Sequence, residues 1–207
     1  MPGKIEGTRE FWLERAASAL EAMLGVAGFH MPDKYRVACG FPSVGGMGKK
    51  KRRIGECWDA KCSGDGTFEI LVSPTLETPL DVLATLLHEM VHAVVGIECG
   101  HKGAFKSCAK TMGLEGPMTR TTPGEELTER LHALADELPM YPHAKLDGRL
   151  RTGPKKQGTR MLKLVCPCGY TVRTTKKWIE TGLPTCACGG QFVLESGEPE
   201  DDDIEGT

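Results

Sequence analysis

The stretch LDVLATLLHEMVHAVVGIECGHKGAFK, residues 80–106, contains a helix-patterned segment around which the rest of the chain is organised. Within it, His88-Glu89-Met90-Val91-His92 is an H-E-x-x-H motif. Histidines at positions i and i+4 lie about 40° apart around a helix, so both imidazoles can point toward one metal ion. Glu89 follows His88 and lies about 100° round the helix from it, so its carboxylate can act as general base on a water molecule at that metal without being a ligand. We therefore predict metal ligation by His88 and His92 and catalysis by Glu89.

The residues around the motif are apolar on nearly every side of the helix, which predicts a buried helix. They are Leu83, Leu86, Leu87, Met90, Val91, Val94, Val95 and Ile97. Two histidines and a glutamate could instead be satisfied core residues. Burying each polar group without a partner costs roughly 2 to 7 kcal/mol, and a bound metal removes most of that cost. The apolar surroundings thus favour the metal site.

A catalytic zinc site usually has three protein ligands and one open position. Three downstream residues are candidates for the third ligand: His101, Glu98 and Glu115. His101 is preferred, because two glycines after the helix would let the chain turn back toward the metal. Glu98 has the spacing of the third metzincin ligand, and Glu115 lies at the distance used by glutamate-ligand zincins but within a glycine-rich turn. All three remain open on sequence grounds.

The segment His88-Glu-Met-Val-His92-Ala, followed by His101, Phe105 and Lys106, resembles the SprT-like zinc metallopeptidase family, which includes the Spartan proteases. Gly113-Leu-Glu-Gly116, Tyr141-Pro-His143 and a C-terminal cysteine module resemble the SprT-like proteins encoded by bacteriophages and actinobacteria. The family usually has glycine directly after its third histidine, whereas this chain has Lys102.

This resemblance implies a zincin-like α+β domain with one zinc ion on His88, His92 and His101. It also implies that Glu89 is the base and that the substrates are proteins bound or crosslinked to DNA. In zincins an edge strand of the sheet commonly receives an extended substrate, and we expect residues 68–72 to be that strand.

Local patterns predict the elements around the motif. Thr8 can cap a first helix, and residues 35–39, 54–58 and 68–72 have the pattern of short strands. Thr78 and Pro79 can begin the motif helix. Further helices are predicted over 101–112 and 126–138, the second with a capping box over 122–125.

Two further segments could serve the cleft. Lys49 to Arg53 is a run of five cations, which is either a solvated face or a phosphate contact. Tyr141 and His143 could stabilise an oxyanion, although a structural role is favoured.

Four cysteines near the C-terminus have metal-ligand spacing. Cys166-Pro-Cys168 and Cys186-Ala-Cys188 are two close pairs, as in a structural zinc ribbon with four thiolate ligands. The inner spacing is C-x-C rather than the commoner C-x-x-C, and unmetallated thiols are the alternative. The odd total of nine cysteines favours reduced thiols over a secreted disulfide framework.

The cysteine module is strongly basic. Residues 149–194 contain nine Lys or Arg and one acidic residue, an excess hidden in the whole-chain charge of −2. Arg173, Lys176 and Lys177 are interleaved with the aromatic residues Tyr170 and Trp178. We predict that the cations contact phosphates and that Trp178 stacks on an unpaired base, so that Arg173, Lys176, Lys177 and Trp178 bind nucleic acid. An acidic protein partner is the alternative.

The organisation expected from composition is a metallopeptidase domain at 1–147, a basic linker at 148–160, a zinc ribbon at 161–194 and a disordered acidic tail at 195–207. No signal-like or membrane-spanning stretch is found. We expect a cytoplasmic protein, within a bacterial host cell if phage-encoded, with DNA and a protein substrate as partners and no membrane.

The predicted function is peptide-bond hydrolysis by a zinc metallopeptidase with one catalytic and one structural Zn²⁺. The alternative is a non-proteolytic, zinc-containing DNA-binding or host-regulator protein.

Overall fold

The computed structural model describes residues 7–47, 52–147 and 161–195. The chain divides into two compact units, Met1–Arg151 and Thr152–Thr207. The predicted linker at 148–160, the tail beyond residue 195 and the first three cations of the basic run lie outside the described residues. Each unit combines helix with small sheets, so the predicted α+β class is confirmed. None of the helices in the described ranges has the length and apolar character needed to cross a membrane.

The first unit contains four helices and five strands among its described residues. In chain order they are α1 (Arg9–Val26), β1 (Tyr35–Cys39), β2 (Gly55–Trp58), β3 (Phe68–Val72), α2 (Pro79–Val95), α3 (Ala104–Thr111), β4 (Leu114–Glu115), β5 (Thr122–Pro123) and α4 (Glu125–Glu137). Single 3-10 turns occur at Ala60–Cys62, Ile97–Cys99 and Met118–Arg120.

The main sheet has the strand order β1-β3-β2. β1 runs parallel to β3, and β2 runs antiparallel to it with Gly55 opposite Val72. The expectation that residues 68–72 form the substrate-receiving edge is therefore wrong, because β3 has a neighbour on both sides. The edge strand beside the motif helix is β2. A strand pattern reveals which residues are extended, but pairing order depends on contacts that are distant in sequence.

Helix α2 is the central element of this unit. Thr78 caps it by accepting a hydrogen bond from the Asp81 amide at 3.2 Å, and Pro79 occupies its first turn. The helix ends at Gly96, whose φ of +87° is a left-handed conformation that favours glycine. It packs against β2, β3 and the helices α1, α3 and α4. Its fully buried apolar residues are Val82, Leu83, Leu86, Leu87, Met90 and Val91.

One predicted helix start and one predicted capping box are wrong. Helix α3 begins at Ala104 rather than 101, because Gly100 and Gly103 both have φ of +50° and turn the chain sharply. Helix α4 is capped by Gly124 without a side-chain hydrogen bond, so the predicted capping box does not form. Thr122 instead pairs with Glu115 in the short β4–β5 sheet. Tertiary strand pairing has overridden the local capping signal.

The second unit is small. It contains β6 (Leu162–Val165), β7 (Thr171–Thr174), α5 (Lys176–Thr181) and β8 (Val193–Leu194), with the antiparallel strand order β7-β6-β8. Its buried core consists of Leu164, Cys166, Cys186 and Phe192. A core of this size supplies little stability by itself, and small domains of this kind commonly need a metal or a crosslink.

Candidate metal centres

The three histidines of the first unit converge on one point. The Nε2 atoms of His88 and His92, both on α2, each lie 3.3 Å from Nε2 of His101. Two nitrogen ligands of a tetrahedral zinc ion, each about 2.0–2.1 Å from it, lie about 3.4 Å apart. The spacing of these ring nitrogens therefore fits a metal ion, and the group could hold one.

Hydrogen bonding among the rings does not satisfy them. A neutral imidazole nitrogen either donates one hydrogen bond or accepts one, so His101 Nε2 can pair with only one of its two neighbours. A cation that accepts all three lone pairs resolves this conflict. The Phe105 ring packs against the cluster, with centroids 4.2 Å from His92 and 5.0 Å from both His88 and His101. This contact restrains the orientation of the imidazoles.

The electrostatic environment keeps the histidines neutral. Burial lowers the pKa of His88 to about 4 and the pKa of His92 to about 3, and the neighbouring rings add to both shifts. The pKa of His101 is also lowered, first by burial and then by the charge of Arg53. Neutral imidazoles have free lone pairs at pH 7, which is the state that binds metal.

The two glutamates considered as third ligands lie elsewhere. The Glu98 carboxylate is 78% exposed and accepts a hydrogen bond from Lys61 at 3.5 Å. The Glu115 carboxylate lies against Gly124 at the start of α4. Neither belongs to the group of possible ligands around the motif, which among the described residues consists of the three histidines.

Glu89 lies between α2 and the edge strand. Its side chain is 7% exposed, and its Oε1 and Cγ atoms occupy the space where a side chain at Gly55 would be. Burial raises the pKa of Glu89 to about 8, with a further rise from Glu56 that Arg53 opposes. A metal cation at the adjacent histidines would favour the ionised carboxylate. A base whose pKa lies near neutrality is well suited to proton transfer.

The outer edge of β2 has no strand partner among the described residues. The Ser73 amide donates to the Ile54 carbonyl at 2.8 Å, which makes Ile54 and Ser73 a hydrogen-bonded pair. Pairs alternate along antiparallel strands, so the backbone groups of Gly55 and Cys57 point away from β3. Within the described ranges, the edge of β2 next to Glu89 therefore presents two N–H and two C=O groups that have no strand partner.

Tyr141 and His143 have structural contacts. The Tyr141 ring packs edge-on against Trp12 with centroids 4.8 Å apart, and His143 Nε2 donates to the Pro74 carbonyl at 2.8 Å. Trp12 Nε1 donates to the Pro139 carbonyl at 2.8 Å. These contacts anchor the segment after α4 to α1 and to the loop before α2. Throughout the described part of the chain, no ring contact joins either residue to the histidine cluster.

Two residues near the cluster were missed by the sequence analysis. Thr121 Oγ1 lies 2.8 Å from His88 Nδ1, although the two residues are 33 positions apart. Arg53 was noticed only as part of a charge run, and its guanidinium acts on both Glu89 and His101. The basic run itself was visible in the sequence, but a lone threonine in a loop has no local signal for such a role.

The four cysteines of the second unit also come together. Cys166 Sγ lies 3.5 Å from Cys188 Sγ, and Cys168 Sγ lies 3.6 Å from Cys186 Sγ. Two thiolates about 2.3 Å from a tetrahedral zinc ion would be about 3.8 Å apart. All four are free cysteines, and the group could hold a metal ion despite the C-x-C spacing.

Tight glycine turns shape the cysteine cluster. Gly169 and Gly189 have φ of +88° and +77°, and their amides donate to the Cys166 and Cys186 carbonyls. The Gly190 amide donates to Cys188 Sγ at 3.4 Å, and this backbone contact is the main reason that the pKa of Cys188 is lowered to about 7. A thiol that ionises near neutral pH is prepared for metal binding.

The four predicted nucleic-acid-binding residues lie at the surface of the second unit. Trp178 is 58% exposed, and Lys177 Nζ lies 5.5 Å from its ring centroid. Lys176 forms a helical ion pair with Glu180 at 3.8 Å. Arg173 is an exposed residue of β7, opposite Lys163. Their exposure is compatible with contacts to a partner.

No protein-family model, no curated protein and no solved structure matches the chain. The resemblance to the SprT-like family stays a prediction, and the functional interpretation depends on the geometry of the two clusters.

Proposed function

We propose that the chain is a zinc-dependent metallopeptidase. One observation carries the proposal: three imidazole nitrogens converge, and the carboxylate of Glu89, the residue after His88, is buried against β2, an edge strand among the described residues. A set of three imidazole ligands suits zinc and matches the ligand number of catalytic sites. When bound, zinc supplies Lewis-acid chemistry, polarising a carbonyl group and making a water molecule more acidic near neutral pH.

The residues of this chain have separate tasks in the proposed reaction. His88, His92 and His101 hold the ion in a fixed position, and Phe105 restrains their rings. A Glu89 carboxylate oxygen takes the proton of the attacking water and then delivers it to the nitrogen of the leaving amine. Its burial against Gly55 limits the positions it can adopt, which supports a positioned base rather than a mobile one.

The edge of β2 is the proposed substrate-binding strand. An extended peptide can pair with the outward N–H and C=O groups of Gly55 and Cys57 by strand addition. Because Gly55 touches Glu89, a peptide paired there would have its backbone close to the base. Binding through the main chain tolerates many substrate sequences. The choice of substrate would therefore depend on what brings the peptidase close to a given protein as well as on the cleft.

We propose DNA-associated proteins as the substrate class and the second unit as a zinc ribbon that binds nucleic acid. The support is the family resemblance, the positive charge of residues 149–194 and the exposed Trp178 beside Lys177. Cations would contact phosphates, and an indole ring can stack on an unpaired base. The alternative is a non-proteolytic DNA-binding or host-regulator protein that retains both metal sites.

Cleavage of a DNA-binding protein by the zinc-loaded chain, with and without DNA, tests the proposal. Glu89→Gln keeps the size of the side chain but cannot accept the proton, so we expect turnover to fall about 10²- to 10⁴-fold. Glu98→Gln is the matched control, because its exposed carboxylate lies outside the cluster. Equal cleavage by wild type and Glu89→Gln, with contaminating protease excluded, would reject the metallopeptidase. No cleavage by wild type while DNA is bound would favour the alternative.

A further inference from the structure

The hydrogen bond between His88 and Thr121 links the histidine cluster to the loop between β4 and β5. Thr121 Oγ1 lies 2.8 Å from His88 Nδ1, the ring nitrogen that does not face the other histidines. We propose that Thr121 is a positioning residue for the metal site and that its hydroxyl fixes the His88 tautomer that binds metal. This inference rests on the proposed metal site.

The chemistry follows from the two nitrogens of one ring. A neutral imidazole carries its proton on either Nδ1 or Nε2, and only the nitrogen without the proton can bind a metal. When Nδ1–H donates to the Thr121 oxygen, the lone pair is left on Nε2, which lies 3.3 Å from His101 Nε2. The contact also orients the ring plane. His88 thus enters the cluster with its tautomer and direction already selected.

The two helical ligands differ in this respect. His92 Nδ1 is buried and has no hydrogen-bond partner in the described ranges. The tautomer of His92 is therefore not selected by a side chain of those ranges, whereas that of His88 is. Loss of the Thr121 hydroxyl would leave His88 Nδ1 without this partner too, and the ring would lose the contact that orients it.

The backbone around Thr121 is held on both sides. The 3-10 turn Met118–Arg120 precedes it, closed by a hydrogen bond from the Arg120 amide to the Pro117 carbonyl at 2.7 Å. Thr122 follows it and pairs with Glu115 across the β4–β5 sheet. The threonine side chain is branched at Cβ and stiff about χ1, so a fixed backbone also fixes the hydroxyl. This loop joins α3 to α4, and both helices pack on α2.

Metal affinity of the full-length chain tests the inference without reference to peptidase activity. Cobalt replaces zinc as the probe, because its absorption spectrum distinguishes the two sites. Cobalt at the cysteine site has thiolate-to-cobalt charge-transfer bands, and cobalt at the histidine site does not. Chelator competition then measures each site separately. Thr121→Val keeps the shape but removes the hydroxyl, and we expect about 10- to 100-fold weaker binding at the histidine site with the cysteine site unchanged. Thr121→Ser keeps a hydroxyl and should recover most of the affinity. Thr122→Val is the matched control one residue away and should bind like wild type.

Two results would overturn the inference: wild-type affinity in Thr121→Val, or equal losses in the Ser and Val variants, which would indicate methyl packing. If Thr121→Val does not fold, ¹⁵N NMR of the His88 ring in metal-free wild type and Thr121→Ser decides. Protonation at Nδ1 in both is expected, and protonation at Nε2 contradicts the inference. Failure of wild type to bind cobalt at the histidines would reject the proposed function itself, a different outcome from normal binding in Thr121→Val.

Discussion

Gly55 of β2 has no room for a side chain, because Glu89 of α2 fills the space where its Cβ would be. The strand edge and the motif glutamate are therefore in direct contact. A Cβ at this position would also lie 2.8 Å from Thr85 Cγ2 and 2.8 Å from Glu89 Cγ, distances that require a neighbour to move. The glycine is needed for the close approach of strand and helix.

Gly55→Ala tests this relationship. We expect overpacking to lower the free energy of unfolding by about 1–3 kcal/mol and to displace the Glu89 carboxylate. Displacement of a base should lower kcat/KM at least about tenfold, while both metal sites remain occupied. Chemical denaturation, proteolysis assays and metal analysis measure the three quantities. Gly64→Ala is the control, since a Cβ there meets nothing within 4 Å. Unchanged stability and activity in Gly55→Ala would contradict the contact.

Arg53→Ala should lower kcat/KM because it removes a positive charge that acts on Glu89 and His101. The Arg53 guanidinium lowers the pKa of both Glu89 and His101, so its field reaches both sides of the histidine cluster. Without it the pKa of Glu89 rises, and the acidic limb of the kcat/KM profile should move to higher pH. Loss of a positive charge near developing negative charge should also lower kcat/KM by about tenfold or more. Arg52→Ala removes the same charge from the exposed neighbouring residue and should leave the profile unchanged.

The stability of the metal-free chain should depend on pH with opposite contributions from the histidines and Glu89. Burial lowers the pKa of His88 to about 4 and that of His92 to about 3. As the pH falls, these histidines therefore become protonated in the unfolded chain at a higher pH than in the folded chain. The stability they contribute is present above pH about 6.5 and decreases as the pH falls toward 4. Burial raises the pKa of Glu89 to about 8, so its ionised carboxylate destabilises the folded chain at high pH. This destabilisation decreases as the pH falls and the carboxylate is protonated, over part of the same pH range.

Glu89→Gln separates these contributions. The metal-free variant should lose stability more steeply than wild type as the pH falls from about 6.5 to 4, because the offset from Glu89 is absent. Urea denaturation at several pH values measures the slopes. Parallel curves for the two proteins would show that Glu89 has an ordinary pKa in the folded chain.

The folded chain should hold two zinc ions. Elemental analysis of protein purified without added metal should find one ion fewer in His92→Ala and one fewer in Cys168→Ser. Cys62→Ser changes an exposed cysteine outside both clusters and should leave the count at two. A single zinc ion that survives His92→Ala but is lost in Cys168→Ser would leave the histidine site without metal.

Trp178→Ala should weaken binding of the full chain to single-stranded DNA by about 1–3 kcal/mol, the usual contribution of one stacked base. Lys177→Ala should instead reduce the slope of log affinity against log salt by somewhat less than one. Leu183→Ala, a similarly exposed apolar change in the same unit, is the control. Fluorescence titrations at several salt concentrations measure both effects. Binding that ignores salt would assign this surface to another partner.

The sequence by itself determined the parts of the protein that depend on local spacing. The bounds of β1 and β3 were predicted as observed, and the Thr78 cap and buried face of α2 followed from the residue pattern. The i, i+4 spacing predicted that His88 and His92 share a helix face, and they do converge with His101. Each of these signals lies within a few residues, where helix and strand periodicity act directly on the chain.

The tertiary structure alone decided which distant segments meet. It placed β3 rather than β2 at the centre of the sheet, brought Gly55 against Glu89, and put Thr121 at 2.8 Å from His88. It also placed His101, the preferred candidate, with the two helical histidines, while Glu98 and Glu115 lie elsewhere. Residues 33 or 34 positions apart share no local periodicity, so their contact depends on how the sheet and helices pack together.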